Sequence, residues 1–337
     1  MKFVIVRLSS LGDIVHSLPV VYFLRKHFPE AQIDWLTGKK GYEFLLQISE
    51  INNVYLASLK NILLIQKQNY DYVIDVQGLF KTGFLSRLCN GKKVIGFKDT
   101  REFADIFYDV KTNVGNLFKT NKHIVDLNLE LLKSIVKEDF KNAKFLIPKL
   151  IRVENPALKN ITKKSMVIFP ATTWKSKLWG MGSWFEVIKK LQNNYQIFLC
   201  ASNVDKECIK DLVNKLDSEN VNYNNLAGET SIKDLIYLIQ NVTLVVGLDS
   251  AGLHLASAIR NDFGTPEVIG IYGPTSLYRC GPYGTLDSCL YLKDLDCIAC
   301  RKKVCPLGHH ACMSEISPMH VLNKIEQVVE SPNMINL

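Results

Sequence analysis

The stretch RLSSLGDIVHSLP, residues 7–19, follows directly on the apolar run FVIV at residues 3–6. The run is typical of a buried β-strand, and the helical pattern after it admits Pro19 only near the start of a helix. The stretch is therefore a turn at the carboxyl end of the first strand, with an acid, Asp13, directly after its only glycine. It contains neither G-x-G-x-x-G nor G-x-x-x-x-G-K, so it is neither a dinucleotide fingerprint nor a phosphate-binding P-loop.

From this turn outward, apolar runs without strict two-residue alternation are interleaved with helical patterns. Such runs are typical of parallel strands buried on both faces, with helices as crossovers. A lysine-rich stretch at residues 139–164 predicts a linker, and the same interleaving restarts after it. We predict two doubly wound α/β domains at residues 1–150 and 165–316, and a helix at 317–337 that packs back on the first domain. Ligands are expected in a cleft between the halves, at the carboxyl ends of the strands.

Composition limits the classes of function. The 337 residues are 47% hydrophobic and 22% charged, as in a soluble globular protein of about two domains. No apolar run reaches the ~20 residues of a membrane span and no signal peptide precedes the first strand, so we expect a cytosolic protein. Lys and Arg number 41 against 33 acids, a formal charge of +8 that favours an anionic partner. No zinc-finger, basic-zipper or RNA-recognition signature is present, and we expect no nucleic acid.

Asp13 has two interpretations. Asp and Ser commonly cap helices, which would make Asp13 or Ser17 an N-cap. Alternatively, Gly12 lets the backbone approach a ligand closely, and Ser9 and Ser10 can hydrogen-bond a hydroxylated or anionic one. Spacing alone leaves both interpretations open.

A matching pattern of strand, turn and helix occurs in the second half, in TLVVGLDSAGLHLASA at residues 243–258. The residues at the start of that helix are Asp249, Ser250, Ala251 and Gly252. Backbone N–H groups and the helix dipole favour an anion there, and His254 on the first turn adds a donor to a phosphate or ribose. The structural alternative has Asp249 as a cap and His254 packed against the sheet.

A third group of polar residues follows the first strand of the second half, in FPATTWKSKLWGMGSW at residues 169–184. Thr172 and Thr173 offer hydroxyls. Lys175 and Lys177 put positive charge where a diphosphate would meet the strand ends.

Four of the nine cysteines cluster in CIACRKKVCPLGHHACM, residues 297–313. They are Cys297, Cys300, Cys305 and Cys312. A C-x-x-C followed by further Cys and His residues is within reach of a zinc or iron–sulfur site, although the second C-x-x-C of a zinc ribbon is missing. We favour reduced structural cysteines in a C-terminal loop and keep a metal centre as the alternative.

Together the motifs resemble one family. The stretches that carry the resemblance are RLSSLGDIVHSLP, DYVIDVQGLFKTG, TREFADIFYD, PATTWKSKLW, VVGLDSAGLHLASA, IYGPTS and CPLGHHACM. They resemble, in order and over nearly the whole chain, the bacterial lipopolysaccharide heptosyltransferases of glycosyltransferase family 9. The resemblance implies a GT-B fold with two Rossmann-like domains, the acceptor on the first and the ADP-sugar donor on the second. It also implies transfer of L-glycero-D-manno-heptose from ADP-heptose, most like the members that use a Kdo hydroxyl of Kdo-lipid A (heptosyltransferase I).

The resemblance assigns roles residue by residue. Asp13 matches the family's proposed general base, and Lys177 matches the lysine assigned to the donor diphosphate. The other donor-side candidates are Thr172, Thr173, Asp205, Asp249, Ser250, Ala251, Gly252 and His254. The acceptor-side candidates are Ser9, Ser10, Gly12, Lys81 and Arg101. A fixed lysine charge can stabilise the leaving ADP, so neither a metal nor a cofactor is expected.

Three functions remain open at this point. The first is an inverting heptosyltransferase at the cytosolic face of the inner membrane, where the basic charge helps it meet anionic lipid A. The second is heptosyltransferase II or another family 9 transferase with a different acceptor. The third is a protein without heptosyl transfer, either a non-catalytic binder of sugar nucleotides or a metal-binding redox protein that depends on the four cysteines.

Overall fold

The computed structural model describes residues 1–100, 102–115, 120–149 and 151–330. The chain divides into two units, Met1–Lys149 and Leu150–Leu337. The division falls inside the predicted linker at residues 139–164. That stretch is not a solvated connector, because Phe145 and Leu158 within it are buried.

The N-terminal unit contains one six-stranded parallel sheet. Its strands are β1 (Lys2–Val6), β2 (Gln32–Thr37), β3 (Asn53–Leu56), β4 (Tyr72–Asp75), β5 (Lys93–Phe97) and β6 (Val110–Thr112). Its α-helices are α1 (Leu11–Val15), α2 (Leu18–His27), α3 (Lys39–Leu45), α4 (Leu59–Gln66), α5 (Phe80–Leu88) and α6 (Ile124–Glu130). The strand order is β3-β2-β1-β4-β5-β6. Phe3, Val4 and Ile5 of β1 are all fully buried, as expected of a central strand covered on both faces.

The C-terminal unit repeats this plan. Its strands are β7 (Ser165–Phe169), β8 (Gln196–Leu199), β9 (Asn224–Asn225), β10 (Leu244–Leu248), β11 (Glu267–Tyr272) and β12 (Leu290–Tyr291). Its α-helices are α7 (Met181–Leu191), α8 (Lys210–Ser218), α9 (Ile232–Asn241), α10 (Ala251–Phe263), α11 (Leu277–Cys280), α12 (Ala311–Ser314) and α13 (Pro318–Glu330). The strand order is β12-β11-β10-β7-β8-β9, again parallel throughout.

Both sheets have the Rossmann strand order, with a point where the chain reverses its direction of travel across the sheet. In the N-terminal sheet this switch point lies between β1 and β4, where Val6 pairs with Asp75. In the C-terminal sheet it lies between β7 and β10, where Phe169 pairs with Gly247. Ligands of such sheets bind beyond the carboxyl ends of these strands. The RLSSLGDIVHSLP turn and the residues after β7 and β10 all lie there.

Most of the predicted elements are confirmed, including the helix with Pro19 near its start, which is α2. The edge strands β6, β9 and β12 were not predicted, because two- and three-residue strands carry no hydrophobic run. Of the helix predicted at residues 317–337, the structure describes Pro318–Glu330, and its packing on the first domain stays a prediction. Helix α13 belongs to the C-terminal unit, where its apolar residues Val321 and Ile325 join the core around Trp184 of α7.

In the part of the chain that the structure describes, no helix has both the length and the apolar character to cross a bilayer.

Candidate active site

Two loops are joined at the switch point of the N-terminal sheet. After β1, the Arg7 guanidinium donates from Nη1 to the Val76 carbonyl at 2.6 Å, and the Leu8 N–H donates to Gln77 Oε1 at 2.8 Å. These bonds bind the turn that carries Asp13 to the loop that leads from β4 into α5. Lys81, on the first turn of α5, therefore lies at the same sheet edge as Asp13, as the sequence predicts for acceptor-side residues.

Asp13 is held through one of its two carboxylate oxygens. Oδ2 accepts from the Ser10 N–H at 3.0 Å, from Ser10 Oγ at 2.8 Å and from Arg7 Nη2 at 3.0 Å. Within the described residues, no donor bonds to Oδ1. The Asp13 side chain is 40% exposed, whereas that of Arg7 is 9% exposed. The carboxylate is thus fixed in direction, with one oxygen open to a ligand.

A second serine–aspartate pair in the chain shows what a cap looks like without further functions. At the start of α9, Asp234 Oδ2 accepts from the Ser231 N–H at 2.9 Å and from Ser231 Oγ at 2.8 Å, and Ser231 Oγ accepts from the Asp234 N–H. Asp13 makes the same two bonds to Ser10 and in addition pairs with a buried arginine. The N-cap of α1 is Ser10, and Asp13 is the third helical residue, which completes the capping box. The predicted N-cap role of Asp13 is therefore wrong, whereas Ser17 is the N-cap of α2.

The charge of Asp13 is set by its neighbours. Desolvation raises the pKa of this carboxyl, but the Arg7 guanidinium and the two bonds from Ser10 outweigh it, and the net pKa lies below the ordinary value. Asp13 is therefore an anion at neutral pH and can accept a proton from a bound hydroxyl through Oδ1.

The switch point of the C-terminal sheet is organised around Asp249, which directly follows β10. Oδ2 accepts from Lys177 Nζ at 2.7 Å and from Thr275 Oγ1 at 2.7 Å, while Oδ1 accepts from His254 Nε2 at 2.9 Å. Thr172 Oγ1 donates to the Asp249 carbonyl at 3.0 Å. The network joins the loops after β7, β10 and β11, and it occupies both carboxylate oxygens of Asp249.

This buried carboxylate keeps its charge. Burial raises the pKa of Asp249, but the Lys177 ammonium and the His254 hydrogen bond outweigh it and hold the pKa far below the ordinary value. Because the carboxylate can only accept, His254 donates from Nε2. We expected His254 to donate to a phosphate or ribose. In the structure its Nε2 donates to Asp249 instead.

Lys177 is held in place by its neighbours and has N–H donors that its bond to Asp249 does not use. Its side chain is 14% exposed, and Nζ lies 4.6 Å from the centre of the Trp174 ring. An ammonium group has three N–H donors, and its bond to Asp249 uses one of them. The group is therefore a fixed positive charge suited to a diphosphate.

At the start of α10, packing explains one of the predicted donor-side residues, and another has a buried hydroxyl to which no described residue bonds. Ser250 is the N-cap, and its Oγ is buried without a hydrogen bond to any described residue. Ala251 is the first helical residue. An added Cβ at Gly252 would lie 2.5 Å from the Phe169 ring, so packing alone requires glycine there. With 13 residues, α10 is long enough for its N-terminal N–H groups to attract an anion.

The comparisons with known proteins agree with this arrangement. The model of glycosyltransferase family 9 (heptosyltransferase) matches residues 59–311. The chain belongs to this family. It is a glycosyltransferase, and its fold class, GT-B with two Rossmann-like domains, is confirmed.

Three similar proteins illustrate the range of this family 9 enzyme's relatives. Lipooligosaccharide heptosyltransferase 2 of Campylobacter jejuni is 25% identical over 328 residues, which cover 94% of this chain and 96% of that protein. Lipopolysaccharide heptosyltransferase 1 of Escherichia coli is 24% identical over 348 residues, covering 95% and 100%. The solved structure of E. coli heptosyltransferase WaaC with ADP has a TM-score of 0.72 at 23% identity, covering 98% and 100% of the two chains.

The remaining candidates of the family 9 enzyme lie as follows. Ser9 and Ser10 are exposed on the Asp13 turn, Gly12 is buried in α1, and Thr173 is exposed. Asp205 follows β8, where it accepts from Ser202 Oγ at 2.6 Å; within the described residues it has no hydrogen bond to the Asp249 network. Arg101 lies outside the described residues.

The four clustered cysteines line one small cavity of the glycosyltransferase, but the described residues contain no group of three or more Cys, His, Asp or Glu side chains placed to hold a metal ion. Each of these cysteines is a free thiol. The zinc or iron–sulfur alternative therefore finds no preformed ligand set in this part of the chain.

Two residues of the site were not singled out from the sequence. Arg7 forms the ion pair with Asp13. The sequence indicated it only as a basic residue directly after a buried strand, six positions before the acid. Thr275 completes the Asp249 network, and its signal was the IYGPTS motif at the end of β11. Arg7 reaches Asp13 because the turn folds back on itself, and Thr275 reaches Asp249 from the end of a neighbouring strand.

Proposed function

We propose that this glycosyltransferase moves L-glycero-D-manno-heptose from ADP-heptose to a Kdo hydroxyl of Kdo-lipid A, with inversion, and that Asp13 is the general base. The observation that carries the proposal is the state of the Asp13 carboxylate. Its pKa lies below the ordinary value, three donors fix Oδ2, and no described residue donates to Oδ1. A general base needs an accessible lone pair within hydrogen-bond reach of the hydroxyl.

The proposed reaction is a single displacement. Oδ1 of Asp13 takes the proton of the acceptor hydroxyl while the hydroxyl oxygen forms a bond to the anomeric carbon of the heptose. The bond from that carbon to the diphosphate oxygen breaks, and ADP leaves with the electron pair. The attacking oxygen approaches from the face opposite the leaving group, which inverts the configuration.

The donor side supports the leaving group. Negative charge accumulates on the diphosphate as the bond breaks, and a fixed cation stabilises that charge without reorganisation. Lys177 supplies such a cation, because Asp249 holds its ammonium at 2.7 Å. The N-terminal N–H groups of α10 add a second favourable field. We therefore propose that the enzyme needs no metal ion, and that Thr172, Thr173 and Asp205 contact the nucleotide.

On the acceptor side, we propose that Ser9, Ser10, Lys81 and Arg101 bind the Kdo carboxylate or the lipid A phosphates. The formal charge of +8 supports attraction to an anionic membrane surface. A second candidate acceptor is the first heptose, as for heptosyltransferase II. It is favoured by the 25% identity with the heptosyltransferase 2 of C. jejuni.

The test is ADP release by the purified protein given ADP-heptose with either Kdo-lipid A or its heptosylated product, with EDTA present. Release with Kdo-lipid A alone would support the proposal. Release with the heptosylated acceptor alone would move the enzyme to the second candidate. If neither acceptor supports release while ADP still binds, the proposed donor sugar is wrong.

A further inference from the structure

The cysteine segment, residues 297–312, has no role in the reaction proposed above. Its four cysteines line a cavity together with Ser176 and Pro274. The cavity has a volume of about 20 Å³, which is room for about one water. The thiols therefore serve as small, weakly polar side chains that let the segment pack closely against two neighbouring loops.

The first of these loops carries Lys177. The residue before it, Ser176, is 3% exposed, and the cysteine segment binds all three of its polar groups. Its N–H donates to the Lys303 carbonyl at 3.1 Å, its Oγ donates to the Lys302 carbonyl at 2.5 Å, and its carbonyl accepts from His310 Nε2 at 2.6 Å. The position of the Lys177 backbone is therefore set by the cysteine segment.

The second loop carries Thr275. The Ala299 N–H donates to the Gly273 carbonyl at 3.2 Å, and the Arg301 N–H donates to the Pro274 carbonyl at 2.7 Å. Ala299 and Arg301 both have left-handed backbone, with φ of 56° and 57°. Residues other than glycine seldom adopt this conformation, and it persists where surrounding contacts fix it. Here it accompanies two bonds to the loop directly before Thr275.

Both loops end at the same carboxylate. Lys177 Nζ and Thr275 Oγ1 each lie 2.7 Å from Asp249 Oδ2. We propose that the cysteine segment is a brace that positions Lys177 and Thr275 on Asp249 for binding of a nucleoside diphosphate, with His310 as its main positioning residue. The proposal rests on the proposed function only in its choice of ligand.

His310 is suited to this role by its chemistry. A carbonyl oxygen can only accept, so His310 must carry its proton on Nε2 to bond to Ser176. That bond crosses 134 positions of sequence and reaches the residue next to Lys177. Without it, the buried Ser176 carbonyl loses a partner and the turn at residues 175–177 gains freedom. Lys177 then holds its place against Asp249 less often.

The experiment measures the Kd of ADP by calorimetry for the full chain and four variants. His310→Ala should weaken ADP binding by about 2- to 13-fold, the range given by the loss of one net hydrogen bond. His310→Gln keeps an N–H donor at a similar distance and should restore most of the affinity. Ser176→Ala loses only the bond to Lys302 and should weaken binding by a smaller factor. The control is His320→Ala, an exposed histidine of α13 outside the cysteine segment, whose Nδ1 accepts from the nearby Ser317 N–H; it should bind ADP as the wild type does.

The kcat and KM for the ADP-sugar, together with melting temperatures, distinguish a positioning role of His310 from a general loss of folded protein. The brace predicts a raised KM for the ADP-sugar with little change in kcat, and melting temperatures of His310→Gln close to the wild type. If wild-type protein binds ADP and His310→Ala binds it equally well, the brace is wrong and the proposed function stands. If the wild type binds no ADP, the proposed function fails and the brace fails with it. An equal loss in His320→Ala would also overturn the role of His310.

Discussion

Asp13 and Asp249 each lie at the carboxyl end of a strand that flanks a switch point, β1 in one sheet and β10 in the other, yet their hydrogen bonding is opposite. Asp13 is 40% exposed and keeps Oδ1 without a bond to any described residue. Asp249 is 8% exposed and accepts hydrogen bonds on both oxygens. Both have a pKa below the ordinary value, because the neighbouring cation and the hydrogen bonds to the carboxylate together outweigh the effect of desolvation.

The two carboxylates differ in which of their oxygens accept hydrogen bonds from described residues. The charge of Asp249 is used inside the protein to hold Lys177 and Thr275. In Asp13, Arg7 and Ser10 bond only to Oδ2, and no described residue donates to Oδ1. A carboxylate at a strand end is thus not evidence of chemistry by itself. An ionised carboxylate with one restrained and one accessible oxygen is a much stronger indication.

The change with the largest expected effect is Asp13→Asn. The amide oxygen can replace Oδ2 as acceptor from Ser10, but it cannot take a proton, so kcat should fall by about 10²- to 10⁴-fold. The Kd of ADP should not change, because the donor candidates lie in the other unit. Asp234→Asn is the matched control: it alters the same kind of serine–aspartate cap and should leave kcat unchanged.

Next in size is Lys177→Gln, which tests the other carboxylate. Removing the cation takes away the fixed charge proposed for the diphosphate and leaves Asp249 without its main partner. We expect kcat/KM to fall by about 10²- to 10³-fold, together with weaker ADP binding. Lys175→Gln changes an exposed lysine two positions away and should have little effect. Equal losses in the two lysine variants would contradict a specific role for Lys177.

Arg7→Gln sharpens the account of Asp13 through pH. In the wild type the pKa of Asp13 is held below its ordinary value by Arg7 and Ser10, so the acid limb of kcat/KM should lie at low pH. Without the guanidinium, desolvation has the larger influence, the pKa rises, and activity should be lost at a higher pH than in the wild type. Arg7→Lys keeps a cation and should shift the limb less. An acid limb that stays in place in Arg7→Gln would show that Arg7 does not set the charge of Asp13.

The smallest expected effect is that of Thr275→Val. It removes one hydrogen bond to the Asp249 carboxylate and should cost about 1 kcal/mol of stability in the C-terminal unit. ADP binding should weaken by only a few fold. Chemical denaturation and calorimetry would measure the two effects. A loss of ADP affinity as large as that of Lys177→Gln would mean that Thr275 contacts the ligand directly.

Much of this architecture could be predicted from the sequence. Long apolar runs such as that of β1 and β10 indicate buried parallel strands, and their turns indicate the two strand-end sites. The short strands β6, β9 and β12 could not be predicted, because their pairing depends on the edge already formed by β5, β8 and β11. The place of α13 could not be predicted either, since its apolar face does not identify which core it joins.

The site was predictable residue by residue only where regular helix geometry determines the contact. Ser10 and Asp13 are three positions apart, and their contact follows from helix geometry. Arg7 meets Asp13 because the turn folds back, and Thr275 meets Asp249 because β10 and β11 are neighbours in the sheet. His254 Nε2 bonds to Asp249, which lies just before the helix that carries His254.

The most direct test of the contrast between the two carboxylates compares Asp13→Asn with Asp249→Asn. For each variant, the Kd of ADP and the single-turnover rate at saturating ADP-heptose would be measured with the acceptor that supports release. The account predicts opposite losses. Asp13→Asn keeps its ADP affinity and loses the rate, whereas Asp249→Asn loses affinity and keeps most of the rate once the donor saturates. If Asp13→Asn retains the wild-type rate, Asp13 is only a helix cap and the proposed mechanism is wrong.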